Sequence, residues 1–91
     1  MARVEIFASP LCGYCRAALA LLEKKGIAYK KRPILFLLFF KFPNANWHEM
    51  VRRSGGRRDI PQIFVDGNYL GDEEALFALQ EQGRLQEVLG G

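Results

Sequence analysis

Arg3-Val4-Glu5-Ile6-Phe7-Ala8-Ser9-Pro10-Leu11-Cys12-Gly13-Tyr14-Cys15-Arg16 is the stretch on which the fold turns. Arg3–Phe7 alternates polar and apolar side chains around Val4, Ile6 and Phe7, the period of a strand. Ala8-Ser9-Pro10-Leu11 reads as a turn. From Cys12 the period changes. Cys15, Ala18, Leu19 and Leu22 share one helical face, which predicts a helix over about Cys12–Lys25. Lys24 and Lys25 suit the negative end of its dipole, and Gly26 suits the residue just past it. Two cysteines therefore stand where a strand hands over to a helix.

Working outward, Ile27–Ile34 reads as a second strand, with Pro33 marking it as an edge. Asn46 and Glu49 have capping-box spacing and predict a helix running to about Arg53, closed by Ser54-Gly55-Gly56. Pro61–Val65 reads as a third strand. Asp66-Gly67 is a tight-turn signal, so Asn68–Leu70 should pair back antiparallel. Gly71-Asp72 opens a helix through about Gln82, with Glu73 and Glu74 in its first turn, Leu76, Phe77 and Leu79 apolar, and Gly83 ending it. Arg84–Leu89 adds a further helical turn or two. The order β-α-β-α-β-β-α predicts an α/β domain over residues 1–91, a mixed sheet of about four strands with helices on both sides and a right-handed first crossover.

Composition narrows the class. Of 91 residues, 49% are hydrophobic and 25% charged, ordinary values for a globular chain. The two cysteines are too few and too close for a disulfide scaffold. The longest apolar run, Ile34–Phe40, falls well short of the roughly twenty residues of a membrane span. The N-terminus has no long apolar segment of a secretory leader, so a protein of the reducing cytoplasm is expected. The net charge of +3 is unevenly spread: residues 1–58 carry twelve of the thirteen Lys/Arg but only three of the ten Asp/Glu. The chain is a dipole more than a polycation, and no aromatic–basic motif points to nucleic acid.

Cys-x-x-Cys at a strand–helix junction is the most informative feature. Cys12 would sit at the cap or first position of the helix, where unpaired N–H groups and the dipole favour an anion, hence the thiolate. Arg16 lies one turn in. Cys15 lies on the next turn, within reach of a mixed disulfide formed at Cys12, and Gly13 leaves the approach to Cys12 open. A structural zinc site is poorly supplied, since only the distant His48 could join the pair. A buried, inert cysteine pair remains the alternative to redox chemistry.

At this point the sequence resembles the glutaredoxins, within the thioredoxin fold. The resemblance is carried by Val4–Phe7, Cys12-Gly13-Tyr14-Cys15, the helix through Ala17–Leu22, Gly26-Ile27, Glu49–Gly55, Ile60-Pro61-Gln62-Ile63-Phe64-Val65-Asp66-Gly67, and Leu76–Leu79 with Gly83-Arg84-Leu85. It implies an enzyme, a glutathione-dependent thiol–disulfide oxidoreductase acting on protein disulfides and glutathionylated proteins. Cys12 would be the nucleophile, Cys15 the resolving thiol, and glutathione the co-substrate, with no metal. It also implies that Pro61 is cis beside the sulfur and that the Ile60 backbone pairs with the glutathione cysteinyl group. Asp72, Glu73 and Glu74 would face the γ-glutamyl end, Tyr14 would line the thiol groove, and Arg57 or Arg58 would meet the glycyl carboxylate. Without a ligand, Arg52-Arg53 and Arg57-Arg58 read as solvated surface.

Three positions depart from the family pattern. Ser9 stands where a lysine is common, Asp59 where Thr or Ser is usual, and Asp72 where a second Gly is usual. A carboxylate at Asp59 near Cys12 would oppose thiolate formation. These changes weaken the expected glutathione contacts and keep open an electron donor served by a flavoprotein reductase. A glutathione-ligated [2Fe–2S] carrier shares Gly13, but Cys15 argues against it. The segment Leu35–Asn44, LFLLFFKFPN, is longer and more apolar than the family resemblance explains. It reads as an extension of the second strand or satellite core, as a self-association patch through Leu35–Phe42, or as a destabilising alteration.

Overall fold

The computed structural model describes residues 2–34 and 45–90. The apolar run Leu35–Phe42 lies outside the described residues. Four strands, β1 (Val4–Ala8), β2 (Lys30–Pro33), β3 (Gln62–Val65) and β4 (Asn68–Gly71), form one sheet in the order β2-β1-β3-β4. β1 runs parallel to β2 and antiparallel to β3, and β3 runs antiparallel to β4. Helices α1 (Gly13–Lys24), α2 (Ala45–Arg53) and α3 (Glu73–Glu81) and a π-helical turn at Gln86–Gly90 complete the described chain. The expected element order and mixed sheet are present.

β1 explains the layering. All five of its residues are buried, and alternate side chains enter different cores. Val4, Ile6 and Ala8 join Cys15, Ala18, Leu22, Ile27, Ile63, Leu76, Leu85 and Leu89 on the face covered by α1 and α3. Phe7 turns the other way, to Ile34, Met50 and Phe64 under α2. Phe7 and Phe64 meet edge to face, with centroids 5.5 Å apart.

Several boundaries differ from the sequence reading. β2 starts at Lys30, not Ile27, because the preceding residues finish α1. The Gly26 N–H bonds to the Glu23 carbonyl at 3.1 Å and the Ile27 N–H to the Leu22 carbonyl at 2.9 Å, while the Ile27 side chain drops into the core. This paired closure satisfies the last carbonyls of the helix. The capping-box reading of α2 also fails. The helix already includes Ala45, so Asn46 lies within it. The Asn46 amide instead donates to the Pro33 carbonyl at 3.0 Å and its oxygen accepts from Arg32 Nε at 3.1 Å, tying α2 to the end of β2.

Glu49, the other half of that expected box, belongs to an ion lattice. Glu5 of β1 accepts from Arg32 at 2.8 Å and Arg53 at 3.1 Å, and Glu49 pairs with both arginines at 2.9 Å. The Arg53 guanidinium lies 4.3 Å from the Phe64 ring centroid, and Arg32 lies 5.1 Å from that of Phe7. Arg53 is therefore a packed link between α2 and the sheet, not the solvated residue its sequence neighbourhood suggests.

The Arg53 hydrogen bond first, aided by the arginine charges and opposed by burial, holds the Glu5 carboxyl below its ordinary value. Such a carboxyl stabilises the fold fully above its unfolded pKa and loses that contribution as pH falls through the folded one. Glu5→Gln should therefore cost about 1–3 kcal/mol at neutral pH. Denaturant titrations of both proteins should show the gap closing as pH falls below about 4.

Candidate active site

Cys12 is itself the N-cap of α1, with extended backbone at φ −93° and ψ 119°. The buried Ser9 turn sets this position: the Cys12 N–H bonds back to the Ser9 carbonyl at 3.2 Å, and the Cys12 carbonyl receives the Arg16 N–H at 3.1 Å. In the cap role usually taken by an oxygen, Cys12 Sγ accepts the Cys15 N–H at 3.3 Å. The sulfur thus stands at the N-terminal end of the helix with a backbone N–H directed at it. Ser9 contributes no cation. Its hydroxyl accepts from the Leu11 N–H at 3.4 Å within the same turn.

The two thiols are unbonded and differently placed. Cys12 is half-buried, whereas Cys15 is fully buried in the core under α1. Burial pushes the Cys15 thiol up to about 12, helped by its hydrogen bond to Cys12 and by the charges of Cys12 and Glu73. One sulfur is reachable and the other is kept protonated, the division of labour expected of an attacking and a resolving thiol.

The third wall is the loop before β3. The Ile60-Pro61 peptide bond is cis, and the Cys12 thiol faces the Ile60 carbonyl at 3.9 Å. Pro61 is buried and Ile60 partly so. Beyond this loop, Gly71 makes the passage from β4 to α3. Its φ is +143°, and a Cβ there would stand 2.7 Å from that of Ala75. Asp72 follows as the N-cap of α3, its Oδ1 accepting the Glu74 N–H at 3.0 Å.

The structure thus joins Cys12 to Cys15 and to Ile60 directly, with Pro61 following Ile60 across the cis bond, and Glu73 is near enough to act on Cys15. Tyr14 is exposed at 66% and Leu11 at 85%, so two large side chains within two residues of Cys12 along the chain are open to solvent. Leu11 was not singled out by the sequence, because one apolar residue in a turn carries no pattern. Glu74 is exposed, and Arg58 is exposed with its guanidinium 5.8 Å from the Trp47 ring centroid. Among the described residues, no group of three or more His, Cys, Asp or Glu could hold a metal ion.

Arg57, expected either at a ligand or in solvent, is engaged within the chain. It forks onto Asp59, with Nε to Oδ1 at 2.9 Å and Nη2 to Oδ2 at 2.7 Å, and Nη2 also reaches Asp72 Oδ2 at 2.9 Å. Nη1 donates to the Tyr69 hydroxyl at 3.2 Å. That hydroxyl donates to Gln62 Oε1 at 2.6 Å, and Gln62 Nε2 returns to the Asp59 carbonyl at 2.8 Å. The hydrogen bonds from Arg57 hold both Asp59 and Asp72 below the usual carboxylate range, so both stay ionised. The sequence gives no hint of this ring, since Asp72, Tyr69 and Gln62 come to Arg57 only through the β3–β4 hairpin.

The glutaredoxin family model matches residues 4–70. Glutaredoxin 3 of Escherichia coli (strain K12) is 39% identical over 89 residues, covering 98% of this chain and 99% of its own. The solution structure of glutaredoxin from Brucella melitensis superposes with a TM-score of 0.75 at 34% identity, covering 98% of this chain and 89% of that one. The crystal structure of a buckwheat glutaredoxin–glutathione complex has a TM-score of 0.77 at 18% identity, covering 98% and 77%, a likeness of fold. No helix among the described residues is long and apolar enough to cross a membrane.

Brief treatment of the reduced protein with iodoacetamide near neutral pH should give one adduct, on Cys12. Peptide mapping by mass spectrometry checks this, and comparable labelling of Cys15 would contradict its burial.

Proposed function

We propose that this chain, which belongs to the glutaredoxin family, uses glutathione to reduce protein disulfides and glutathionylated proteins through the Cys12 thiolate. The coarser activity, thiol–disulfide oxidoreduction, comes with the family. The observation that supports Cys12 as the attacking thiol is its sulfur acting as helix cap, with a backbone N–H at 3.3 Å placed to stabilise an anion there; the use of glutathione is inferred from the family.

In the first step the Cys12 thiolate attacks the glutathionyl sulfur of a mixed disulfide. The Cys12–glutathione S–S bond forms, the substrate's S–S bond breaks, and the substrate leaves as a thiolate that takes a proton from water. A second glutathione, as thiolate, attacks the glutathionyl sulfur on Cys12, releasing glutathione disulfide and regenerating the Cys12 thiolate. With a protein disulfide, Cys15 loses its proton and attacks Cys12, expelling the substrate thiolate and forming a Cys12–Cys15 disulfide. Two glutathiones then return it to the dithiol in two exchanges, leaving together as glutathione disulfide.

In this reading the Ile60 backbone and Pro61 hold the cysteinyl part of glutathione across the groove from Cys12. Asp72, Glu73 and Glu74 lie at the α3 end, where free N–H groups suit the γ-glutamyl carboxylate and an acidic side chain suits its ammonium. Asp72 already has both oxygens engaged, so Glu73 and Glu74 are the carboxylates left for the ammonium. Arg58 is exposed and suits the glycyl carboxylate, while Tyr14 flanks the entering sulfur. The chemistry suits a reducing compartment such as the cytoplasm, where glutathione is the reductant.

The test is reduction of a glutathionylated peptide with glutathione as electron source. Cys12→Ser should abolish turnover, and Cys15→Ser should keep a large part of it. Equal loss in both variants would overturn the route through glutathione alone. Turnover with a flavoprotein reductase but none with glutathione would overturn the glutathione reading itself.

A further inference from the structure

We propose that Arg57 is a specificity-determining residue that, by masking Asp59 and Asp72, governs how readily the Cys12 site admits an anionic disulfide. The inference rests on Cys12 being the attacking thiol of the reading above. Its basis is the geometry around the cis loop. Asp59 precedes Ile60, whose carbonyl faces the Cys12 thiol at 3.9 Å. Asp72 caps α3, the helix whose first turn carries Glu73, which acts on Cys15. Two carboxylates in these places would repel any substrate bearing carboxylates of its own. One guanidinium binds both, at 2.7 and 2.9 Å.

Local chemistry explains why an arginine does this. Its planar fork takes Asp59 through two N–H groups while a nitrogen and the opposite edge remain for Asp72 and Tyr69, a geometry a single ammonium cannot reproduce. Gln62 is fully buried, and Tyr69 and Asp59 together satisfy its amide, so the ring is anchored in the sheet. The formal charge of the Arg57–Asp59–Asp72 trio is then −1. Loss of Arg57 makes it −2, loss of the Asp59 charge makes it zero, and loss of both returns it to −1.

The field at Cys12 can be read without any glutathione chemistry. In alkylation the thiolate forms a carbon–sulfur bond and iodide leaves, whether the reagent is anionic iodoacetate or neutral iodoacetamide. The ratio of the two rate constants cancels the thiolate fraction and reports the local potential. All variants carry Cys15→Ser, which leaves one thiol.

At low salt the ratio should fall about two- to threefold in Arg57→Gln and rise by a similar factor in Asp59→Asn. The Arg57→Gln, Asp59→Asn double variant should return to the starting ratio, and Arg57→Lys, which keeps the charge without the fork, should fall between wild type and Arg57→Gln. The spread should collapse at about 1 M salt.

A ratio unmoved by Arg57→Gln would overturn the proposal. So would a double variant no better than Arg57→Gln, since a merely structural arginine would not be rescued by removing a negative charge. If Arg57→Gln fails to fold, Asp59→Asn alone decides, and an unchanged ratio there also overturns it. Failure of wild-type turnover on a glutathionylated peptide would instead count against the glutathione reading and leave these ratios interpretable.

Discussion

The double burial of β1 is the constraint on which the rest depends. It pairs on both edges and buries side chains on both faces, so its five residues belong to two cores at once. Its strand direction and length fix where the chain emerges, and the Ser9 turn places Cys12 at the first free N–H groups of α1. The reactive position is thus a consequence of sheet geometry before any side chain beyond Cys12 takes part. A change that unseated Phe7 or Ile6 would move the sulfur along with the strand.

The two faces carry different kinds of adhesion. The α1–α3 face is aliphatic and holds Cys15, whose protonated state follows from that environment. The α2 face has a small aromatic core roofed by Arg32 and Arg53 with Glu5 and Glu49. That aliphatic packing is what buries the Cys15 thiol. The charged lattice lies on the other side of the sheet from Cys15.

Much of this was legible in the sequence where the signal is local. The Cys12 cap, the helix exit at Gly26, and the Asp66-Gly67 turn, with φ of 51° and 84°, all follow from residues within a few positions of each other. The resemblance supplied what residue pattern does not, the cis Ile60-Pro61 bond. Asn46 misled because a cap signal competes with a side-chain bond to Pro33 that only the folded sheet creates. Arg53 and Arg57 looked like surface charge because their partners lie on other elements. The expected opposition of Asp59 to the thiolate likewise took no account of the guanidinium two residues earlier. The glutathione contacts assigned to Tyr14, Arg58, Glu73 and Glu74 rest on the resemblance.

The placement of Cys15 has a consequence for timing. Burial keeps its proton on, and so do its hydrogen bond to the Cys12 sulfur and the negative charge there. The last of these acts only when the Cys12 sulfur carries that charge. Once Cys12 has bonded to a substrate sulfur, its negative charge is gone, and burial and the Glu73 charge are what still restrain Cys15. The second thiol is therefore armed by the event it must answer. In the proposed cycle, a substrate that lingers on Cys12 meets a second thiol that its own arrival has partly released.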